Sequence, residues 1–125
     1  KNGIINWKNE ISSNITPVIT GNLIFTVSED GYFLVIEKNK GNIIRVTDLL
    51  KNYKLKKRKD VKPVGFAIDD ATLYLTNSDG KMILVDLSIG NIKTIEKVSG
   101  DFISRPFIFN QNLFVIRNGS IVQYN

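Results

Sequence analysis

The chain has 125 residues, 42% hydrophobic and 23% charged, which are the proportions of an ordinary globular domain. It has no cysteine, which excludes disulfides, thiolate metal sites and cysteine nucleophiles, and no histidine, which removes most hydrolase and metalloenzyme chemistries. The net charge of +5 is concentrated in residues 51–62, which hold seven basic residues and one acid.

The opening segment, Gly3 to Ile11, mixes polar and apolar residues like the last strand of the repeat described below. Because the chain also begins with Lys1 rather than methionine, we expect it to be a fragment of a longer protein. No window reaches the roughly 18 to 20 apolar residues of a membrane-spanning helix, and the first residues do not resemble a signal peptide.

A hairpin unit occurs three times along the chain. Each copy places two apolar runs around a two-residue turn: Asp30-Gly31, Asp79-Gly80 and Asn118-Gly119. Such dipeptides predict a hairpin with a type I′ turn, in which both central residues have positive φ. The turns lie 49 and 39 residues apart, close to the 40 to 50 residues of a propeller repeat.

Two further strands complete each unit. A short apolar run starting at Pro17, Pro63 or Pro106 precedes each hairpin, and proline is tolerated at the first position of a strand. A more mixed segment follows two of the hairpins, at residues 43–46 and 92–95. The unit is therefore predicted to be a four-stranded antiparallel sheet.

The apolar pattern decides how these sheets pack. Near-continuous apolar runs at residues 32–36 and 82–85 indicate strands buried on both faces, as in a blade between two other blades. We therefore predict an all-β fold of β-propeller blades, with a sandwich or open barrel as the alternative. The predicted core residues are Phe25, Leu34, Ile36, Leu73, Leu75, Leu84, Val85, Leu113 and Val115.

The chain is predicted to be one partial propeller, divided into successive blades. Residues 1–11 are predicted to be the outer strand of a preceding blade, 12–50 a blade, 51–62 a basic connecting loop, 63–99 a second blade and 100–125 an incomplete last blade. An unpaired sheet edge beside an orphan outer strand invites pairing between chains. We expect self-association in which the opening strand of one copy completes the last blade of another, giving a six-bladed ring.

The repeat resembles the pyrroloquinoline-quinone-like (PQQ-like) propeller repeat over nearly the whole chain. In this repeat an acid lies four residues before a glycine, as Glu37 does before Gly41 and Asp86 before Gly90. A tryptophan lies four residues after the glycine, and this spacing occurs once, from Gly3 to Trp7. Arg45 and Thr94 stand at the other two tryptophan positions. Because the docking tryptophan of the family is mostly absent, we expect aliphatic packing to hold the blades together.

Two branches of the family imply different functions. Quinoprotein dehydrogenases hold the quinone against adjacent cysteines beside calcium and a catalytic aspartate, and no residues here match that site. The BamB-like branch consists of envelope lipoproteins that present rim loops to partners during outer-membrane protein assembly and need no cofactor. This resemblance implies a non-catalytic scaffold in the bacterial periplasm or at the periplasmic face of the outer membrane. Its expected partners are proteins rather than nucleic acid, and a small-ligand-sensing propeller is a further alternative.

The basic segment is the local feature that requires an explanation. It is either a solvated loop, a protein docking loop, or a site for nucleic acid or an anionic lipid surface, with Tyr53 available to stack on a base. We expect it to be exposed and dispensable for folding. The candidate partner-binding residues are Lys51, Tyr53, Lys54, Lys56, Lys57, Arg58 and Lys59.

Other polar and aromatic residues are assigned structural roles. Asp69-Asp70 and Ser28-Glu29-Asp30 lie beside predicted turns, where aspartate commonly caps the backbone, so neither is taken as a catalytic or metal site. Five aromatic residues are interpreted as blade packing rather than as a ligand cage: Trp7, Phe102, Phe107, Phe109 and Phe114.

Overall fold

The computed structural model describes residues 2–100 and 103–124, which form eleven strands and one short helix. The elements are β1 (Val18–Thr20), β2 (Leu23–Val27), β3 (Tyr32–Glu37), β4 (Ile43–Asp48), α1 (Leu55–Arg58), β5 (Pro63–Asp69), β6 (Thr72–Asn77), β7 (Lys81–Asp86), β8 (Asn91–Lys97), β9 (Phe107–Phe109), β10 (Asn112–Arg117) and β11 (Ser120–Tyr124). The four strands β1–β4 form the first blade, β5–β8 the second and β9–β11 the third. Each blade is an antiparallel meander in which sequence neighbours pair, as the repeat predicts.

The three predicted hairpins are confirmed, but two of their turns differ from the expected type. Asn118 and Gly119 both have positive φ, at 50° and 76°, as a type I′ turn requires. At the other two turns only Gly31 and Gly80 have positive φ, at 92° and 81°. The Gly80 N–H donates to the Asn77 carbonyl at 3.0 Å, so a reverse turn precedes the left-handed glycine. The reason is one extra loop residue, which favours this longer connection over a two-residue turn.

Two apolar clusters hold the blades together. The first joins blades one and two through fully buried side chains such as Val27, Phe33 and Leu75, and the second joins blades two and three through Ile103 and Val115. Seven of the nine predicted core residues are buried: Leu34, Ile36, Leu73, Leu75, Val85, Leu113 and Val115. Burial on both sides of the second blade is the environment that the continuous apolar runs indicate.

The other two predicted core residues, Phe25 and Leu84, are only half-buried. Phe25 borders a cleft of about 190 Å³ between the first and second blades, so part of its ring is uncovered. Leu84 lies at the edge of the second cluster, where the third blade supplies only three strands within the described residues. Both side chains therefore pack against the margin of a cluster and not inside it.

Trp7 packs on the first blade in the way the family pattern predicts. Its Nε1–H donates to the Lys38 carbonyl at 2.8 Å, and the Asn9 side chain donates to the Gly41 carbonyl. Gly41 has φ +75°, and a Cβ atom there would lie 2.5 Å from the Trp7 ring. Only glycine leaves room for the indole at this point.

Arg45 makes the equivalent contact between the first and second blades. Its Nη1–H donates to the Leu87 carbonyl at 2.9 Å, and the Thr47 hydroxyl donates to the Gly90 carbonyl at 3.2 Å. A Cβ atom on Gly90 would lie 2.9 Å from Arg45 Cδ. The expected aliphatic packing between the blades is present in the two clusters, and at the tryptophan position itself an arginine stem packs on the glycine while its guanidinium donates to the backbone.

The opening segment forms no strand: the first strand in the described part of the chain begins at Val18. A strand needs a hydrogen-bonded neighbour, and none of the described residues offers one to residues 3–11. At the other end, β11 pairs with β10 alone among the described strands. The assignment of residues 1–11 to a preceding blade, and the pairing of this segment with another copy, stay predictions.

The aromatic residues of the third blade only partly match their predicted role. Phe107 and Phe114 pack within the third blade, where their rings stack with centroids 5.3 Å apart. Phe109 is 59% exposed, which contradicts the expectation that it is part of the blade packing; it lies at the end of β9 opposite the polar Asn112. Phe102 lies outside the described residues.

Candidate functional site

One end of the first two blades carries the basic segment. Because consecutive strands alternate in direction, the turn between the second and third strands lies at the same end as the connection to the next blade. The Lys62 N–H accordingly donates to the Ser78 hydroxyl, at 2.9 Å, and the Leu49 N–H donates to the Gly31 carbonyl, at 2.9 Å. We call this the upper end of the blades; the turns at 38–42 and 87–91 lie at the lower end.

Arg58 fastens the basic segment to the first blade. Its Nη1 and Nη2 groups donate to the two carboxylate oxygens of Asp48, at 2.7 and 2.6 Å. The guanidinium carbon also lies 5.5 Å from the centroid of the Tyr32 ring. Hydrogen bonding to Asp48 raises the pKa of Arg58 above its usual value. Two-point pairing between planar groups fixes orientation, so this contact holds the last residue of α1 against the end of β4.

Tyr53 fastens the same segment to the second blade. Its hydroxyl donates to Asp79 Oδ2 at 2.8 Å, and the Lys81 ammonium lies 5.4 Å from the ring centroid. The ring packs against the first apolar cluster. Burial, and then the hydrogen bond and negative charge of Asp79, raise the pKa of Tyr53 well above its usual range. Tyr53 is therefore a neutral anchor at physiological pH.

The predicted binding residues consequently fall into two groups. Tyr53 and Arg58 are half-buried and engaged within the chain, which contradicts the expectation that the whole segment is exposed. The reason is that each finds a carboxylate partner on an adjoining strand or turn. The remaining candidates are exposed: Lys51, Lys54, Lys56, Lys57 and Lys59. None of these five takes part in an ion pair, since the described residues form only two, Lys8–Glu10 and Arg58–Asp48.

A cleft of about 260 Å³ opens beside this segment. It is lined by Asn52, Tyr53, Lys54, Lys57, Lys81 and Ile95, and we call it the basic cleft. Lys81 and Ile95 come from β7 and β8, so sequence reasoning that considered the charge run alone missed them. The sequence does contain one signal for Lys81: it directly follows the Asp79-Gly80 turn, which the repeat places at the same end as the basic segment.

Leu55 stands next to the basic cleft as an exposed apolar residue. It is the first residue of α1, it lies between Lys54 and Lys56, and it is 86% exposed. The basic segment therefore combines positive charge with a large apolar side chain that the described part of the fold leaves in water.

The acidic candidates serve the backbone and the loops. Glu29 accepts hydrogen bonds from Ser12 and Asn14, Asp30 accepts one from Ser28, and Asp70 occupies a turn with φ 55°. Within residues 2–100 and 103–124, no three acidic side chains are grouped so that they could hold a metal ion. No helix in the same ranges is both long and apolar enough to cross a membrane.

These features define the class of the protein: the chain has the fold of consecutive blades of a β-propeller. BamB from Moraxella catarrhalis shares this fold, with a TM-score of 0.67 over 91% of the chain at 15% identity. Quinohemoprotein alcohol dehydrogenases from Pseudomonas putida HK5 and Comamonas testosteroni give TM-scores of 0.65 and 0.64 over 87% and 84% of the chain, at 16% and 17% identity.

The chain spans only part of these proteins, 32% of BamB and 17% of each dehydrogenase. No family model matches the sequence, and the comparison with curated proteins found no match. The likeness therefore shows the fold, and the function has to be argued from the chain's own residues.

Proposed function

We propose that the chain is part of a non-catalytic β-propeller scaffold that binds other proteins through its upper end. The observation that supports this most directly is the group of five exposed lysines without ion-pair partners, held on a segment that Arg58 and Tyr53 fasten to two blades. A positioned loop loses little conformational freedom on binding, so more of its interaction free energy is available for affinity.

The resemblance to the BamB-like branch supplies the setting of this proposal. We place the scaffold in the bacterial periplasm or at the periplasmic face of the outer membrane, with outer-membrane assembly proteins as partners. Rim loops on a rigid β framework are common binding elements, which fits the position of the basic segment.

Site-specific crosslinking tests the scaffold function. A photoreactive amino acid replaces Lys56 at the upper end or, as a matched control, Lys40 in an exposed lower-end turn. With envelope extract, we expect discrete protein adducts from position 56 that disappear at 1 M salt, where the Debye length falls to about 3 Å. The same adducts from both positions, or none from position 56, would contradict the proposal.

A titration distinguishes the dehydrogenase alternative. Pyrroloquinoline quinone is added to the 125-residue chain with calcium, and bound quinone is followed by its absorbance. We expect no saturable binding. Saturation would favour the quinone-dependent function instead and remove the scaffold proposal.

A further inference from the structure

We propose that the upper end binds an acidic peptide segment containing a large apolar residue, whose carboxylates enter the basic cleft and whose apolar side chain contacts Leu55. This inference rests on the proposed scaffold function and names the chemistry of its partner. It goes beyond the charge run because two of the six residues that line the basic cleft, Lys81 and Ile95, come from β7 and β8.

The walls of the basic cleft favour carboxylates. Lys54 and Lys57 approach it from the basic segment, and Lys81 approaches from β7. Asp79 lies beside the cleft and keeps its negative charge, but its two carboxylate oxygens accept hydrogen bonds from the Tyr53 hydroxyl and the Lys81 N–H and from no lysine ammonium. Within the described residues the three lysines of the cleft form no ion pair, and the carboxylates of an acidic partner would complement them.

The size of the cleft points to side chains rather than to a free small molecule. Its volume of about 260 Å³ is below the roughly 300 to 1,000 Å³ typical of pockets that enclose drug-sized ligands. The half-buried Ile95 and the Tyr53 ring supply an apolar wall beside the lysines. A carboxylate on a short aliphatic stem, as in glutamate or aspartate, matches such a mixed lining.

Leu55 distinguishes a peptide from the other anionic partners. Single-stranded nucleic acid is bound by aromatic side chains that stack on bases, but the Tyr53 ring is packed against the core and lies beneath the Lys81 ammonium. A membrane surface is bound by a helix with a continuous apolar face, whereas α1 has four residues and only one is apolar. A single exposed leucine between lysines is suited to one apolar residue in an acidic segment.

Fluorescence anisotropy with a labelled peptide tests the inference. The probe is a twelve-residue peptide with four glutamates flanking one leucine, titrated with the 125-residue chain. We expect saturable binding that K54S/K57S weakens about tenfold and L55S about fivefold, corresponding to about 1.4 and 1 kcal/mol. All three side chains are exposed, so these variants should keep the parent melting temperature.

Matched controls lie at the lower end. K38S/K40S removes the same charge from exposed lysines, and I89S removes an exposed apolar residue. Both controls should bind within twofold of the parent. Equal weakening by K38S/K40S would show attraction by net charge alone and would overturn the inference.

Two further probes settle the class of partner. The same titration is repeated with phosphatidylglycerol vesicles and with a single-stranded oligonucleotide. If either binds more tightly than the peptide, and L55S does not change that binding, the acidic-peptide inference is overturned. The scaffold function has a separate readout: protein adducts at position 56 combined with no peptide binding would reject the acidic segment and retain the scaffold. Peptide binding without protein adducts at position 56 would reject the scaffold function and retain a site for acidic peptides.

Discussion

The contact between Trp7 and Gly41 can be tested by adding one methyl group. In G41A, the new Cβ would lie 2.5 Å from the indole ring, so Trp7 has to leave its position. The φ of +75° costs an alanine about 1–2 kcal/mol, and loss of the Trp7 hydrogen bond to the Lys38 carbonyl adds about 0.5–1.5 kcal/mol. We expect the free energy of unfolding to fall by about 2–3 kcal/mol.

Gly21 provides the matched control, because it also has positive φ, +58°, but nothing lies within 4 Å of a Cβ atom there. G21A should therefore cost only the backbone component, about 1–2 kcal/mol. Trp7 is the only tryptophan, so its emission reports the contact directly. Emission should shift to longer wavelength in folded G41A and stay unchanged in G21A. If folded G41A keeps the parent emission, Trp7 does not depend on the space left by Gly41.

Three further predictions concern the anchors and the core. R58S should lower the free energy of unfolding by about 1–2 kcal/mol and K57S by less than about 0.5 kcal/mol in urea denaturation, because Arg58 alone is paired. L75A should cost about 2–5 kcal/mol by the same measurement, since Leu75 is fully buried; a loss below about 1 kcal/mol would contradict the packing. Because the pKa of Tyr53 is raised in the folded state, this residue stabilises the fold below about pH 10, and the contribution is lost as the pH rises further. The melting temperature should therefore fall more steeply with alkaline pH in the parent than in Y53F.

The blades could be predicted from the sequence because their determinants are local. The turn dipeptide Asp79-Gly80 and the proline that begins β5 each restrict the backbone within two or three residues, so short windows contain the information. The predicted turn type was nevertheless wrong at the two Asp-Gly turns. The turn type depends on the number of loop residues between the paired strand positions, and strand ends are hard to place from sequence.

The candidate site could be predicted only in part. The charge run itself identified the exposed lysines, but the roles of Tyr53 and Arg58 depend on Asp79 and Asp48. Those carboxylates reach the basic segment only after two blades have packed, and no spacing rule connects them. Lys81 enters the basic cleft for the same reason.

The contacts of Trp7 and Arg45 have one property in common that bears on how such repeats diverge. Each side chain donates its hydrogen bond to a main-chain carbonyl of the blade on which it packs, at Lys38 or Leu87, and not to a side chain. A backbone acceptor is present whatever residue occupies the position, so only the donor and the facing glycine are constrained. Joints of this kind tolerate substitution of an aromatic ring by a guanidinium, which lets neighbouring copies of a repeat lose sequence similarity while they keep the same relative placement.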